Sequence, residues 1–251
     1  MTRISAGLTH FQALNDAVRR SDDREIIIDD ALGQRYIASG LSGRRITIHG
    51  TPGNALGAYL DGSDIVVHGN AQDATGDTMN DGSIVVHGDA GDATGYGMRG
   101  GAIYVRGNTG YRAGIHMKAY REHRPVVVVG GKAGSFLGEY QAGGIIIVLG
   151  LESAGKKPQT DVREKKLVGN FCGTGMHGGA IYLRGETPPV RFPVQIVAAQ
   201  AKGADIAEIH PYIERFCAYF PGTDKDELLA SLFFVLTPNS KNPYRQMYTN
   251  N

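Results

Sequence analysis

Cysteine is almost missing from this sequence: Cys172 and Cys217 are the only two in 251 residues. Two thiols are too few for a disulfide framework, a four-thiolate iron–sulfur cluster or a cysteine-rich zinc site, so a reducing, cytoplasmic setting is expected. Net charge is almost missing as well. The 26 basic and 25 acidic residues leave a formal +1, with no concentrated basic stripe in either half. A protein that neutralises many phosphates needs such a stripe, so nucleic acid is not an expected partner. Long apolar runs are absent too: the IIIVL run at residues 145–149 is far short of a membrane span. The opening MTRISAGLTH has no apolar stretch of signal-peptide length. Neither secretion nor membrane insertion is expected.

Several catalytic and binding signatures are lacking. The glycine-rich phrases GYGMRGG (95–101) and GTGMHGG (173–179) do not stand in strand, glycine loop, helix order, and no GK[ST] follows them. No GGxGxD phrase occurs, which excludes the calcium-binding nonapeptide repeat. No Ser-His-Asp order is legible, and Met1-Thr2 lacks the cysteine of a glutamine-hydrolysing amino terminus.

What the sequence has is repetition. Gly50, Gly69, Gly88 and Gly107 stand 19 residues apart and close the phrases ITIHG, IVVHG, IVVHG and IYVRG. Gly57, Gly76, Gly95 and Gly114 share the step, as do Leu60, Met79, Met98 and Met117. Two further turns with insertions follow in GSFLGEYQAGGIIIVLG (134–150) and GNFCGTGMHGGAIYLRG (169–185). About seven turns fill residues 33–185, and a short fixed period of this kind marks a solenoid.

Within each closing phrase, Ile46, Ile65, Ile84 and Ile103 share a side with Ile48, Val67, Val86 and Val105, and that side is the predicted interior. Stacked parallel strands sit about 4.8 Å apart, and 19 residues at about 3.3 Å each trace a perimeter near 60 Å. The expected fold is all-β: a single-stranded right-handed parallel β-helix of about seven turns with N- and C-terminal helical appendages. The expected division is a lead-in helix and strand over 1–32, the glycine-rich coil over 33–185, and a C-terminal helical cap with an extended tail over 186–251.

Residues 9–20 read as an amphipathic helix capped by Thr9 with Gln12 three residues on, and Ile26 to Ile28 as a strand. After Gly185 the period stops. TPPVRFPVQIVAAQ (187–200) reads as an extended crossing, followed by helices at about Ile206 to Tyr219 and Asp224 to Val235, the second capped by Asp224 with Glu227. Such helices would cover an exposed solenoid end. The period is broken at Lys118 to Arg124 and at Leu151 to Val168, and insertions of this kind usually mark a working face, so partners are expected there. The polar tail TPNSKNPYRQMYTNN (237–251) reads as a segment for a partner to hold.

Three sets of residues suggest chemistry. His49, His68 and His87 share one outward repeat position, but a single column offers metal ligands from one direction only, so a stacked surface ladder is expected. Asp61, Asp64, Asp73, Asp77, Asp81, Asp89 and Asp92 crowd the second to fourth turns. They read as turn residues, with a carboxylate pair for glycoside cleavage around Asp73 and Asp92 as the rival enzyme reading. Cys172 occupies the repeat position that Leu137 fills one turn earlier, so buried packing is expected rather than a nucleophile. No catalytic, cofactor-binding or metal residue is assigned to this chain.

The run GEYQAGGIIIVLG followed by GTGMHGGAIYLRG resembles the glycine-rich β-helix at the C-terminal end of the glutamate synthase large subunit, the GXGXG domain. The resemblance covers residues 33–185 by repeat and extends to NPYRQMY near the terminus. It implies a non-catalytic scaffold that packs between a glutaminase domain and a flavin-bearing synthase domain and shapes the ammonia path between them. In archaeal-type enzymes the domain is a separate polypeptide, and this length resembles that arrangement. Partner chains of a hetero-oligomer would then bring the nucleophilic cysteine, FMN and the iron–sulfur clusters. The same coil resembles the structural, glycine-rich subunit of formylmethanofuran dehydrogenase and of the related formyltransferase/hydrolase complex, and similar subunits of synthases acting on methylated amines such as N-methylglutamate synthase. A stand-alone β-helix hydrolase or lyase, and a purely structural oligomerisation module contacting through 151–168, are the readings from other classes.

Overall fold

Alternating apolar residues build short strands, and each strand pairs with the one a repeat further on. The computed structural model describes residues 1–151, 166–185 and 191–239. In chain order its elements are β1 (Thr2–Ser5), α1 (Phe11–Arg20), β2 (Glu25–Leu32), β3 (Arg45–Thr51), β4 (Asp61–His68), β5 (Asp81–Val86) and β6 (Ala102–Val105). There follow β7 (Val126–Val129), β8 (Ala142–Val148), β9 (Gly178–Arg184), β10 (Ile196–Gln200), α2 (Ala204–Tyr219), α3 (Lys225–Ala230) and β11 (Phe233–Pro238). All strands join one 11-stranded sheet, β1 to β9 in sequence order and then β11 and β10. Pairing is parallel from β1 to β9 and antiparallel at the last two steps.

The register is that of the repeat. Ile46 faces Ile65, Ile65 faces Ile84 and Ile84 faces Ile103, with Ile48, Val67, Val86 and Val105 aligned two residues on. Both columns are buried in one core with Leu60, Met79, Met98 and Met117. Each side chain of this size is stabilised by about 1.5–3 kcal/mol when fully buried, so column on column supplies the main drive to stack. A second line of parallel contacts runs through Ala71, Ala90, Thr109, Ala133 and Val168, away from the strands.

Helix α1 places Leu14 and Val18 in the same core. Its cap differs from expectation: His10, not Thr9, is the N-cap, and its Nδ1 accepts from the Gln12 N–H at 3.4 Å. The Thr9 N–H is turned back to the Ala6 carbonyl at 2.7 Å, so the helix starts one residue later.

At the other end the chain departs further from expectation. Asp224 does cap α3, accepting from the Glu227 N–H at 2.9 Å, but the helix stops at Ala230. Residues 233–238 form a strand instead, because Phe233, Val235 and Leu236 are buried as β11 pairs with β9 and satisfies its open edge. Residues 196–200 of the expected crossing are β10, paired with β11. The end of the parallel stack is therefore covered by antiparallel strands, not by helices. Helix α2 lies on the outer face of the sheet, where Ile209, Ile213 and Phe216 cover Tyr104, Val128, Ile147 and Tyr182. Residues 187–190, most of the Leu151 to Val168 insertion, and the NPYRQMY tail lie outside the described residues.

Candidate functional site

The glycine-rich segment of each turn has a repeating backbone. Ala74 (φ 57°), Gly76 (φ 71°) and Thr78 (φ 52°) are all left-handed, at every second position, and the pattern recurs in the other turns. The Ala74 N–H donates to the Asp92 carbonyl of the next turn at 2.8 Å, Gly76 to Leu56 of the previous turn at 2.8 Å, and Thr78 to Tyr96 of the next at 2.7 Å. Successive N–H groups in alternating right- and left-handed conformation form anion-binding nests when they converge. Here they diverge along the stack and each is taken by a carbonyl, so these glycine phrases join turns rather than hold phosphate. The central position is glycine for a packing reason: a Cβ on Gly76 would lie 2.4 Å from Ile103 Cδ1 inside the core.

Asp73, Asp89 and Asp92 form ladders at the corners, but Asp61, Asp64 and Asp81, expected as turn residues, stand in β4 and β5 because the strands there begin before the apolar run. Asp73 Oδ1 accepts from the Asp92 N–H at 2.9 Å, and Asp92 Oδ1 from the Tyr111 N–H at 2.8 Å. Alongside, Asn70 accepts from Asp89 at 2.9 Å, Asp89 from Asn108 at 2.6 Å, and Asn108 from Lys132 at 2.8 Å, each through Oδ1 and a backbone N–H. One oxygen of each of Asp73, Asp89 and Asp92 is thus committed to the backbone of the next turn. Asp64 uses Oδ1 to accept from the Ser83 hydroxyl at 2.6 Å.

The histidine column is stacked. Ring centroids of His49 and His68 are 4.9 Å apart at 12°, and those of His68 and His87 are 4.7 Å apart at 28°. His87 then meets the edge of Phe220, just past the end of α2, at 5.2 Å. Burial, and secondly the neighbouring imidazole, hold His68 and His87 below the ordinary histidine value. Among the described residues no three His, Cys, Asp or Glu side chains come together in a way that could hold a metal ion. Cys172 is fully buried in the main core, and burial pushes its thiol up to about 12.

Two features are not evident from the repeat alone. Glu208 of α2 accepts from Arg124 at 2.5 Å and from the Tyr182 hydroxyl at 2.5 Å, so the end of the Lys118 to Arg124 insertion is held against the helix. The rest of that insertion, Lys118 to His123, is mostly exposed. The glycine-rich face also carries aromatic contacts between turns: Tyr96 with His116 at 5.9 Å, His116 stacked on Tyr140 at 5.4 Å, and Phe136 stacked on Phe171 at 4.9 Å. Carrying the register across the second insertion, which places Phe136 and Phe171 in one column, would have found that stack.

Glycines thus join turns, with core side chains filling the space beneath them. The GXGXG motif family matches residues 18–237. The chain belongs to the GXGXG family. An uncharacterized protein of Methanocaldococcus jannaschii is 44% identical over 255 residues, covering 98% of this chain and 95% of that protein. A chloroplastic ferredoxin-dependent glutamate synthase of Arabidopsis thaliana is 37% identical over 71 residues, which are 28% of this GXGXG chain and 4% of that protein. In fold, the chain is similar to a chain of the formyltransferase/hydrolase complex of Methylorubrum extorquens, solved with methylofuran. The TM-score is 0.63 at 17% identity, over 87% of this chain and 80% of that one. Among the described residues, no helix of this GXGXG protein is long and apolar enough to cross a membrane.

Proposed function

We propose that the chain is a single-stranded right-handed parallel β-helix of about seven turns that serves as a scaffold subunit of a cytoplasmic glutamate synthase-type complex. It joins a glutaminase subunit to a synthase subunit that holds FMN and iron–sulfur clusters, and it helps to shape the ammonia path between them. The observation that carries this reading is the commitment of the glycine-rich face. Backbone N–H groups at its left-handed positions and one oxygen of each of Asp73, Asp89 and Asp92 hold turns together, and its central glycines leave room for the core beneath. A chain built in this way offers partners a stiff, long surface and leaves the chemistry to them. The partial similarity to a glutamate synthase supports the choice of complex.

The second reading is the structural subunit of a formylmethanofuran dehydrogenase or formyltransferase/hydrolase complex, favoured by the fold likeness over 87% of the chain. Purification of the tagged full chain from its native host separates the two. Glutaminase activity and an FMN spectrum in the purified fraction support the first, a formyltransferase the second, and a lone monomer contradicts both.

A further inference from the structure

Beside the last turn of the stack lies an open cleft of about 530 Å³. One wall is the glycine-rich segment with Asn170, Phe171 and Thr174. The other is the returning chain at Arg191 and Phe192, and Lys166 also lines it. Among the described residues no carboxylate lines it, and neither Lys166 nor Arg191 has an acidic partner.

Phe171 is 57% exposed and stacks on Phe136 of the preceding turn at 4.9 Å. Arg112 lies over Phe136 at 4.9 Å with its charge matched by Glu139 at 3.0 Å, so among the described residues that line the cleft the unpaired cations are Lys166 and Arg191. The apolar strip therefore runs on from the cleft along the stack. Exposed aromatic and arginine side chains set together are the usual anchors of protein interfaces.

We propose that this cleft docks an acidic segment of a partner subunit, with Lys166 and Arg191 pairing its carboxylates and Phe171 and Phe192 clasping an apolar side chain between them. The proposal rests on the scaffold reading and names the chemistry of one of its contacts. A chain segment, rather than a small anion, fits a site that is open and continues beyond the two cations onto the Phe171 and Phe136 rings. Complementary charge at such a contact sets both affinity and choice of partner.

The test uses the full chain in the complex recovered from the native host. Reversing both charges (K166E with R191E) is expected to raise the Kd for the partner subunit by at least about tenfold, whereas R20E, on the exposed side of α1, changes it less than about twofold. A photo-crosslinker at position 171 is expected to reach an Asp- and Glu-containing peptide of that subunit. Should the reversed chain fail to fold, K166Q with R191Q gives the same reading with a smaller loss. Crosslinks confined to this chain, an unchanged Kd in the charge variants, or saturable binding of phenyl phosphate in the cleft without effect on assembly would each overturn the docking proposal. Those outcomes leave the scaffold reading intact if partners still co-purify; recovery of the wild-type chain alone removes both.

Discussion

Gly114 offers the sharpest test of why the repeat needs glycine. It sits at the inward left-handed position with φ 67°, and a Cβ added there would lie 2.4 Å from Ile146 Cδ1 and 3.0 Å from Met117 Sδ. Gly114→Ala therefore combines two costs. A left-handed residue with a Cβ costs about 1–2 kcal/mol, and an extra methyl in a filled core about 1–3 kcal/mol. Reduced freedom of the unfolded chain returns about 0.4–1 kcal/mol. The net loss expected is about 1–4.5 kcal/mol. Ala93 supplies the opposite case, since it is left-handed at φ 54° but sits at the partly exposed position two residues before the central glycine. Ala93→Gly removes about 1–2 kcal/mol of strain and gives back about 0.5–1 kcal/mol of unfolded-state entropy, so it should be neutral or stabilising by up to about 1.5 kcal/mol. Equilibrium urea unfolding of both variants measures this. A Gly114→Ala protein within about 0.5 kcal/mol of the parent, or two changes of the same sign and size, refutes the reasoning.

The corner ladder should depend on an acceptor, not on a charge. Asp92→Ala is expected to lose about 1–2 kcal/mol while Asp92→Asn, which keeps an oxygen for the Tyr111 N–H, loses much less; equal losses in thermal melts would contradict this. Cys172 should be silent to Ellman's reagent in the folded chain and react only on unfolding, because its thiol is buried and pushed up to about 12. Two rapidly titrating thiols per native chain would be the contrary result. His68 and His87 are held below the ordinary value near 6.5, so the folded chain prefers them neutral. Their contribution is complete above about pH 6.5 and is lost as pH falls through their lowered folded values. Melting temperature should thus fall as pH drops below about 6.5, and by less in His68→Gln; an identical fall in that variant would sink the idea.

Much of the stack was legible in the sequence because a fixed period places equivalent residues one above another. The columns Ile46 to Ile103 and Leu60 to Met117 needed only alternation and a 19-residue step. The histidine stack followed from the same step, whereas the reading of all seven aspartates as turn residues did not hold for Asp61, Asp64 and Asp81, which stand in β4 and β5. What the step could not reveal is that corner oxygens accept from backbone N–H groups one turn on, since this depends on side-chain rotamer as well as spacing. The flanks were harder to read. Phe233 to Val235 read as helix because apolar residues follow a good cap, yet the open edge of β9 gives them a strand to pair with. The placement of α2 was hidden for a related reason: Val126 to Val129 and Ile145 to Leu149 are apolar on both alternating sides, which marks a sheet buried on both faces, but a period alone does not say what covers the second.

Reconstitution tests the central claim most directly. A glutaminase subunit and a flavin-bearing synthase subunit from the native complex are separated and assayed with and without this chain. With the chain restored, glutamine-dependent synthesis should return, while synthesis from added ammonia should be similar in both mixtures. Glutamine-dependent synthesis at full rate without the chain, or turnover of a polysaccharide by the chain alone that is lost in Asp92→Asn, would contradict the scaffold account.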